Sequence, residues 1–216
     1  ALIGPKEYVA VLELHRSAPA DLDAVAAEFE GPILQKPPQK SAVDRSLRVR
    51  EIHALDVLEL EERRALLRID CESGTYVRKL CHDLGLALGT GAHMGHLRRT
   101  ASFPFDDGTL STLPDLADGL AFAEDGNEDP VRDVVLPAER AIDHLPSMTI
   151  APSAAREVAN GAPVYAPGVL DADAEAPGAD LVACHTPGGS AVCLGRVVGD
   201  PDAESGTVLE LERVLV

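Results

Sequence analysis

The sequence predicts an α+β fold, in which a mixed-sheet domain of strands and helices is followed by a small β-barrel-like domain. Within the first hundred residues, segments of alternating apolar residues are interspersed with segments of helical period. The stretch from Asp106 to Asp133 is acidic and rich in turn-forming residues. From about His144, short Val and Leu segments are separated by Gly and Pro, which is typical of small β domains.

The first elements predicted are a strand, a helix and a basic loop. Residues Glu7 to His15 are rich in Val and Leu and alternate loosely, which favours a strand. Helical spacing of apolar residues predicts a helix from Asp21 to Glu30, which Gly31-Pro32 ends. The segment Gln35 to Arg50 is expected to be an extended basic loop, because Pro37-Pro38 excludes a helix.

A hairpin and a second helix follow. The segments Glu51 to Leu60 and Arg64 to Cys71 alternate well enough to pair around residues 61–63. A helix is then predicted from Tyr76 onward, with Gly89 as its C-terminal cap. Its apolar positions at helical spacing are Val77, Leu80, Cys81, Leu84 and Leu88.

The second half predicts an acidic connector and then the β domain. The connector, residues 106–143, is expected to hold one short helix and to belong to a first domain of residues 1–143. The second domain, residues 144–216, is predicted to be all-β, with Leu181 to His185 and Ala191 to Val198 as its clearest hairpin.

Composition indicates a cytoplasmic protein with its own core. The chain has 216 residues, of which 45% are hydrophobic, and no apolar run approaches the roughly 18–20 residues that span a bilayer. The N-terminus lacks the pattern of a secretory leader, which favours the cytoplasm. The four cysteines form no C-x-x-C pair, so we expect small buried apolar residues at Cys71, Cys81, Cys184 and Cys193.

The charge is strongly negative and unevenly distributed. The formal net charge is -17, from 19 basic and 36 acidic residues. The first hundred residues hold 14 basic and 15 acidic residues, and the remainder holds 5 and 21. Only four of the basic residues are lysines. A surface of this kind favours a high-salt cytoplasm, and an ordinary acidic protein is the alternative.

Four local patterns occur in a fixed order: K-E-Y at Lys6–Tyr8, K-P-P-x-x-S-A-V at Lys36–Val43, G-T-Y-V-R-K-L at Gly74–Leu80 and G-A-H-M-x-x-L-R-R-T at Gly91–Thr100. Their order and spacing resemble the TruB/dyskerin family of RNA pseudouridine synthases. The G-A-H-M pattern is most similar to the archaeal dyskerin-type enzymes that work with H/ACA guide RNA. The acidic tail resembles a PUA domain, an RNA-binding module.

The resemblance implies an enzyme that isomerises uridine to pseudouridine in ribosomal RNA under guide-RNA direction, with transfer RNA as a further substrate. It implies accessory proteins of an H/ACA particle as partners, no membrane, and no metal or organic cofactor. Two alternatives stand beside it. One is a non-catalytic RNA-binding scaffold that keeps the PUA domain, and the other is an unrelated soluble enzyme whose motifs match by chance.

The family's nucleophile is an Asp in a G-T-L-D-P-x-V-T-G-like loop that precedes the K-x-Y strand. This sequence starts five residues before Lys6, and no such loop occurs in it. The run Gly126 to Pro130 is the nearest imitation, but it lies in the acidic connector, and we interpret it as a coincidence. We therefore expect a fragment that does not convert uridine by itself.

The resemblance assigns roles to four residues. Tyr8 supplies a ring for the flipped base and assists at the C5 proton. Arg78 forms a two-pronged pair with the catalytic Asp and holds it ionised. Tyr76 and Leu97 line the uracil pocket. Without the family, Tyr8 would be a half-buried strand residue and Arg78 a solvated cation at a helix start.

Two further groups of side chains were assigned by charge and spacing. The loop cations and the arginine pair are expected to meet RNA, although the pair also fits an ordinary solvated face. A metal site built from Cys81, His82, His93 and His96 is set aside because the spacing supplies no second pair of ligands, and a structural hydrogen bond is expected for His93. The predicted RNA-binding residues are Lys36, Lys40, Arg45, Arg48, Arg50, Arg98 and Arg99.

Overall fold

The computed structural model describes residues 4–19, 21–37 and 46–216, which divide into two compact units at Leu110/Ser111. Each unit contains one six-stranded sheet and helices, which confirms the α+β class. Among the described residues, no helix is long and apolar enough to cross a membrane.

The first unit is a wholly antiparallel sheet with two helices. Its strands are ordered β2-β3-β4-β1-β5-β6, so that β1 lies between β4 and β5. The strands are β1 (Lys6–Leu14), β2 (Gly31–Gln35), β3 (Arg48–Leu60), β4 (Arg64–Cys71), β5 (Ala92–Ser102) and β6 (Phe105–Asp106), and the helices are α1 (Leu22–Ala27) and α2 (Val77–Ala87).

Helix α2 covers part of one sheet face and closes the core of this unit. Its residue Leu80 is fully buried, as are Leu12 of β1 and Ile69 of β4. The helix approaches the start of β5 so closely that a Cβ on Gly85 would lie 2.2 Å from the backbone nitrogen of Ala92. Farther along β5 the helix no longer covers the sheet, and Leu97 is therefore 43% exposed.

Strand β5 contains two bulges. The register passes from Val11 opposite His96 to Leu12 opposite Met94, which leaves Gly95 as an extra residue. A second irregularity at the other end of the segment leaves Thr100 unmatched. Each bulge shifts the alternation of side chains by one residue. The core-facing positions therefore do not follow a simple period of two, and for this reason β5 was not predicted.

The hairpin and the long helix of the first unit are confirmed, and two other expectations are corrected. Strands β3 and β4 pair across residues 61–63, and α2 ends before Gly89, whose φ is 68°. The predicted helix over 21–30 is shorter, because the chain enters β2 at Gly31, a residue with positive φ. The segment predicted as a basic loop overlaps two strands, because its first residue, Gln35, ends β2 and its last residues, from Arg48, begin β3.

The second unit contains three helices and a mixed sheet of order β8-β12-β11-β10-β7-β9. Strands β10 and β11 form the predicted hairpin, while β10 and β7 run parallel. Its elements are α3 (Leu113–Glu124), α4 (Asp129–Val134), β7 (Ser147–Ile150), α5 (Pro152–Ala159), β8 (Val164–Tyr165), β9 (Val169–Ala172), β10 (Val182–His185), β11 (Ala191–Val197) and β12 (Thr207–Val214).

Two expectations for this half are also corrected. The connector holds two helices instead of one, because Thr112 and Asp115 form a reciprocal capping box that starts a full-length α3. Gly119 then lets α4 pack closely, since a Cβ there would lie 3.0 Å from Cα of Val131. The β domain is not all-β, because α5 begins at Pro152 and buries Val158. The boundary at residues 143/144 stays a prediction.

Candidate functional site

Tyr8 lies near the start of the central strand, at the margin of the core. It is opposite Ile69 on β4 and opposite Arg99 on β5. Its ring is partly buried against the core of the first unit. Burial raises the pKa of the Tyr8 phenol, the nearby Cys71 adds to the rise, and the positive charge of the Arg99 guanidinium opposes it.

Leu97 lies on the same sheet face as Tyr8. It is directly opposite Ala10, two residues along β1 from the tyrosine. Diagonal neighbours of this kind in an antiparallel pair are about 7–8 Å apart, within reach of an aromatic ring. Because α2 leaves Leu97 exposed, an aromatic and an aliphatic side chain adjoin on an uncovered part of the face.

The turn before α2 is tied to the start of β1. Cys71, the last residue of β4, is opposite Lys6 and its thiol donates to the Lys6 carbonyl at 3.6 Å. The Cys71 thiol also contacts the hydroxyl of Thr75, and burial raises the pKa of this thiol to about 11. Since Lys6 is two residues before Tyr8 on β1, the turn that follows Cys71 and the tyrosine belong to one end of the sheet.

A buried glutamine fixes the residue that precedes α2. Gln35, 1% exposed at the end of β2, accepts from the Tyr76 amide nitrogen at 2.9 Å. Its amide nitrogen donates to the Tyr76 carbonyl at 3.3 Å. The Gln35 side chain therefore pairs with the Tyr76 backbone as a neighbouring strand would, and it holds the start of α2 against the sheet.

Arg78 is the second residue of α2 and is exposed. Within residues 4–19, 21–37 and 46–216, no side chain pairs with its guanidinium. A cation in the first turn of a helix meets the positive end of the helix dipole, so this arrangement gains nothing from the helix itself. The structure thus leaves Arg78 available to an anionic group.

The predicted loop cations lie on both sides of undescribed residues. Arg50 pairs with Glu72 at 3.3 Å and lies against Gly74, where a Cβ would meet its guanidinium at 3.3 Å. Arg48 is partly buried and has a partner, and Lys36 is exposed. Lys40 and Arg45 fall outside the described residues. The cations that can be located therefore border the turn that leads into α2.

The arginine pair on β5 is divided between the two sheet faces. Arg98 lies opposite Val9 and forms a salt bridge with Asp107 at 2.7 Å. Arg99 lies opposite Tyr8 and contacts its phenol. The side chains of consecutive strand residues point to opposite faces. The two arginines therefore have different surroundings.

The histidines considered as metal ligands have other neighbours. Nδ1 of His93 lies 3.1 Å from Nε2 of His15, so His93 takes part in the expected kind of hydrogen bond. Nδ1 of His82 lies 3.2 Å from the Asp83 carboxylate. In the described ranges, no group of three or more His, Cys, Asp or Glu side chains could hold a metal ion.

Three residues of this site, Gln35, Cys71 and Thr75, were not predicted as parts of it. Only the motif position of Thr75, directly before Tyr76, could have drawn attention to it. Arg99 was identified as a cation but not as the neighbour of Tyr8, because β5 was not predicted. Asp129, from the run that imitates the nucleophile loop, begins α4 in the second unit.

Three family models match consecutive parts of the chain. The N-terminal domain of the TruB family of pseudouridylate synthases matches residues 5–77. The C-terminal domain of tRNA pseudouridylate synthase B matches residues 78–143, and the PUA domain matches residues 146–205. These matches include Tyr8, Tyr76 and Arg78, and they agree with the predicted PUA domain.

Similar proteins include two from Haloarcula and Halobacterium. A "Probable tRNA pseudouridine synthase B" of Haloarcula marismortui is 63% identical over 98% of this chain and 69% of its own length. The protein of the same name from Halobacterium salinarum is 62% identical over 100% of this chain and 75% of its own.

Two solved structures have the same fold. A chain of a Cbf5–Nop10–Gar1 complex matches with a TM-score of 0.85 and 44% identity, over 99% of this chain and 67% of that one. A chain of an H/ACA RNP bound to a substrate RNA containing 2'-deoxyuridine matches with a TM-score of 0.85 and 40% identity, over 100% of this chain and 67% of that one. From this identity and coverage, the chain belongs to the TruB family of pseudouridine synthases.

Proposed function

We propose that this chain forms the uridine pocket and the PUA module of an RNA pseudouridine synthase. Its reaction is the isomerisation of uridine in ribosomal RNA under guide-RNA direction, with transfer RNA as a further substrate. The observation that carries the proposal is that Tyr8, Leu97 and the start of α2 adjoin at one end of one sheet. The similarity to a chain of an H/ACA RNP supports guide-RNA direction of the reaction. The name of the relatives, tRNA pseudouridine synthase B, supports transfer RNA as a substrate.

The reaction requires the uracil to leave its stack and turn. The bond from C1' to N1 breaks, the base rotates, C5 bonds to C1', and the C5 proton moves to N1, so that atoms balance without a redox cofactor. Flipping the base costs a few kcal/mol, which stacking on a side chain offsets. Tyr8 offers the ring and Leu97 an adjacent apolar surface, while Gln35 fixes the backbone of Tyr76 at the start of α2.

Arg78 is proposed to hold the nucleophilic carboxylate. A guanidinium can donate two parallel hydrogen bonds to a carboxylate, which keeps the acid ionised and aimed. Its exposure at the start of α2 leaves these donors available. The sequence has no family-type Asp loop, so the proposed roles of the described residues are to bind and orient the uridine.

RNA outside the pocket is proposed to contact the basic residues that border it. Arg50 pairs with Glu72 beside the turn before α2, and Lys36 and Arg48 adjoin Gln35, which binds that turn. Lys40 and Arg45 belong to the same basic segment of the sequence. Accessory proteins like those named in the Cbf5–Nop10–Gar1 complex are the proposed protein partners. Such a particle would work in the cytoplasm, the proposed location.

Binding of two matched RNAs tests this function. One RNA carries a single unpaired uridine and the other carries an abasic ribose at that position. The chain should prefer the uridine RNA, and Tyr8→Leu should erase the preference, because stacking one base is worth about 1–3 kcal/mol, or roughly 5-fold to 150-fold in affinity. Tyr165→Leu, which alters a half-exposed tyrosine of the second unit, is the control and should keep the preference.

Equal affinity of the unaltered chain for both RNAs would contradict the pocket and favour the non-catalytic scaffold. Release of tritium from RNA labelled at uridine C5 is a separate measurement. These 216 residues should give no release above background, even with a guide RNA, because the sequence lacks the family's Asp loop. Release above background would show that a carboxylate of this chain acts as the nucleophile.

A further inference from the structure

Arg99 is the cation nearest to the proposed catalytic phenol in the pairing of β1 with β5. The two residues are directly opposite each other, so their side chains lie on the same sheet face, where the guanidinium lowers the pKa of the Tyr8 phenol. Neither the family matches nor the charge pattern assigns a role to this contact. Its position inside the uridine pocket separates Arg99 from the other cations expected to meet RNA phosphate.

A bulge adjacent to the pair contributes to this register. Tyr8 is opposite Arg99, but Glu7 is opposite Ala101, so Thr100 is the extra residue. The Thr100 hydroxyl donates to the Glu7 carboxylate at 2.6 Å, which anchors the bulge to β1. Bulges are common next to active sites, where they change the direction of a side chain. Here the bulge follows Arg99 immediately, and the pairing resumes at Ala101 with its register shifted by one residue.

The chemistry of the guanidinium decides the direction of the phenolic hydrogen. An arginine side chain has five N–H donors and no acceptor, so in a hydrogen bond between these two side chains the Tyr8 oxygen accepts. The Tyr8 O–H then has to point to another group. Arg99 is exposed and also lines an open cleft of about 220 Å³ with Phe105 and Leu110, so its remaining donors are not enclosed.

On the basis of the proposed function, we infer that Arg99 is a positioning residue, whose guanidinium binds the phenol oxygen of Tyr8 and directs the phenolic proton toward the bound uridine. Arg98 has no part in this role. It lies on the other sheet face, where it is bonded to Asp107 and its side chain is 69% exposed. The two neighbouring arginines therefore form a matched pair for experiments.

The first test titrates the phenols without RNA. The ¹³Cζ signal of each of the three labelled tyrosines is followed with pH in molar salt, and Tyr8→Phe identifies the Tyr8 signal. Arg99→Gln should move the Tyr8 midpoint to higher pH, because Arg99 lowers the pKa of Tyr8. Arg98→Gln, which removes the same charge from the same strand, should leave the midpoint unchanged.

In molar salt the Debye length is about 3 Å, so the charge of an arginine affects the Tyr8 midpoint only if the guanidinium is in contact with the phenol. Far-UV circular dichroism at each pH confirms that the chain is folded. If a glutamine variant does not fold, Arg99→Lys and Arg98→Lys, which keep the charge, provide the same comparison. The Tyr8 midpoint of Arg99→Lys should lie between that of Arg99→Gln and that of the unaltered chain. Equal Tyr8 midpoints in the Arg99 and Arg98 variants would overturn the inference, whatever the RNA results are.

The second test measures binding of the uridine RNA and the abasic RNA. If Arg99 acts through Tyr8, Arg99→Gln should weaken binding of the uridine RNA and leave binding of the abasic RNA unchanged. This loss of affinity should disappear when Tyr8→Phe is already present. If Arg99 instead contacts a phosphate, both RNAs should weaken equally and the slope of log affinity against log salt should fall by about one. That second result would overturn the inference and leave the proposed function intact.

Discussion

The two units of this protein have sheets of equal strand number but use charge in different ways. In the first hundred residues acidic and basic side chains nearly balance, whereas 5 basic and 21 acidic residues follow. The second unit's Arg132, Arg140 and Arg196 pair with carboxylates of their own unit. In the first unit four arginines, Arg50, Arg64, Arg68 and Arg98, also pair with carboxylates, but no carboxylate among the described residues pairs with Arg78 or with Arg99, the residue opposite Tyr8.

This difference shows where an acidic protein keeps cations that are not paired with carboxylates. At molar salt, affinity from phosphate contacts is strongly reduced, because the release of counterions then contributes little. Binding must rely more on stacking and shape, which the Tyr8 and Leu97 face can supply.

The largest expected effect comes from breaking the core of the first unit. Leu80 is fully buried on α2, so Leu80→Ala should cost about 2–5 kcal/mol by lost burial and the cavity left behind. Leu86→Ala on the same helix is the control, since Leu86 is 62% exposed and should change stability by less than about 0.5 kcal/mol. Hydrogen exchange at the amides of β1 and β4 measures both, and equal losses would contradict this assignment of the core.

Alkaline pH should also affect the first unit, with a smaller effect. Burial raises the pKa of the Cys81 thiol from 9.0 to about 12, so the folded chain keeps a proton that the unfolded chain releases. The stability from this group is present below about pH 9 and is lost as pH rises toward 12, by up to about 1.4 kcal/mol per pH unit.

A comparison of two variants isolates this thiol. Cys81→Ala should make the free energy of unfolding less dependent on pH between 8 and 10.5, measured by urea titration at each pH. Leu84→Ala, a buried change on the same helix without a titrating group, should lower stability at every pH and keep the original slope. Identical slopes in the two variants would show that Cys81 does not ionise on unfolding.

The smallest expected effect concerns the difference in charge between the two units. Lowering the salt from 1 M to 0.1 M lengthens the Debye length from about 3 Å to about 10 Å, so carboxylates repel each other over longer distances. Amides of β7 and β9 should then lose more hydrogen-exchange protection than those of β1. Asp171→Asn, at a cleft shared with Asp173, Asp200 and Asp202, should reduce the loss, and an equal loss in both sheets would contradict the interpretation.

Elements with a clean local period could be predicted from the sequence. The β3–β4 hairpin alternates on both sides of a short turn, and α2 repeats its apolar residues at helical spacing up to Gly89. Tyr8 and Leu97 were assigned to one pocket by family resemblance, and the structure places them on the same sheet face. Their catalytic roles remain proposals.

Other features depend on contacts that no local pattern contains. The bulges at Gly95 and Thr100 break the alternation of β5, so a strand of 11 residues had no regular signal. The role of Gln35 depends on the approach of β2 to the start of α2, which are 41 residues apart in the chain. A buried amide that serves a distant backbone looks in sequence like any polar loop residue.

The bulged strand β5 also bears on solubility. Strand β6 pairs only with Ala101 and Ser102, so within the part of the chain that the structure describes, the outer edge of residues 92–100 has no strand beside it. An open, regular edge is a template on which other chains can add strands and aggregate. Interruptions at Gly95 and Thr100 twist that edge and spoil its hydrogen-bonding pattern for a flat partner. The same irregularity that gives the tyrosine its neighbour thus also protects the chain from uncontrolled self-association.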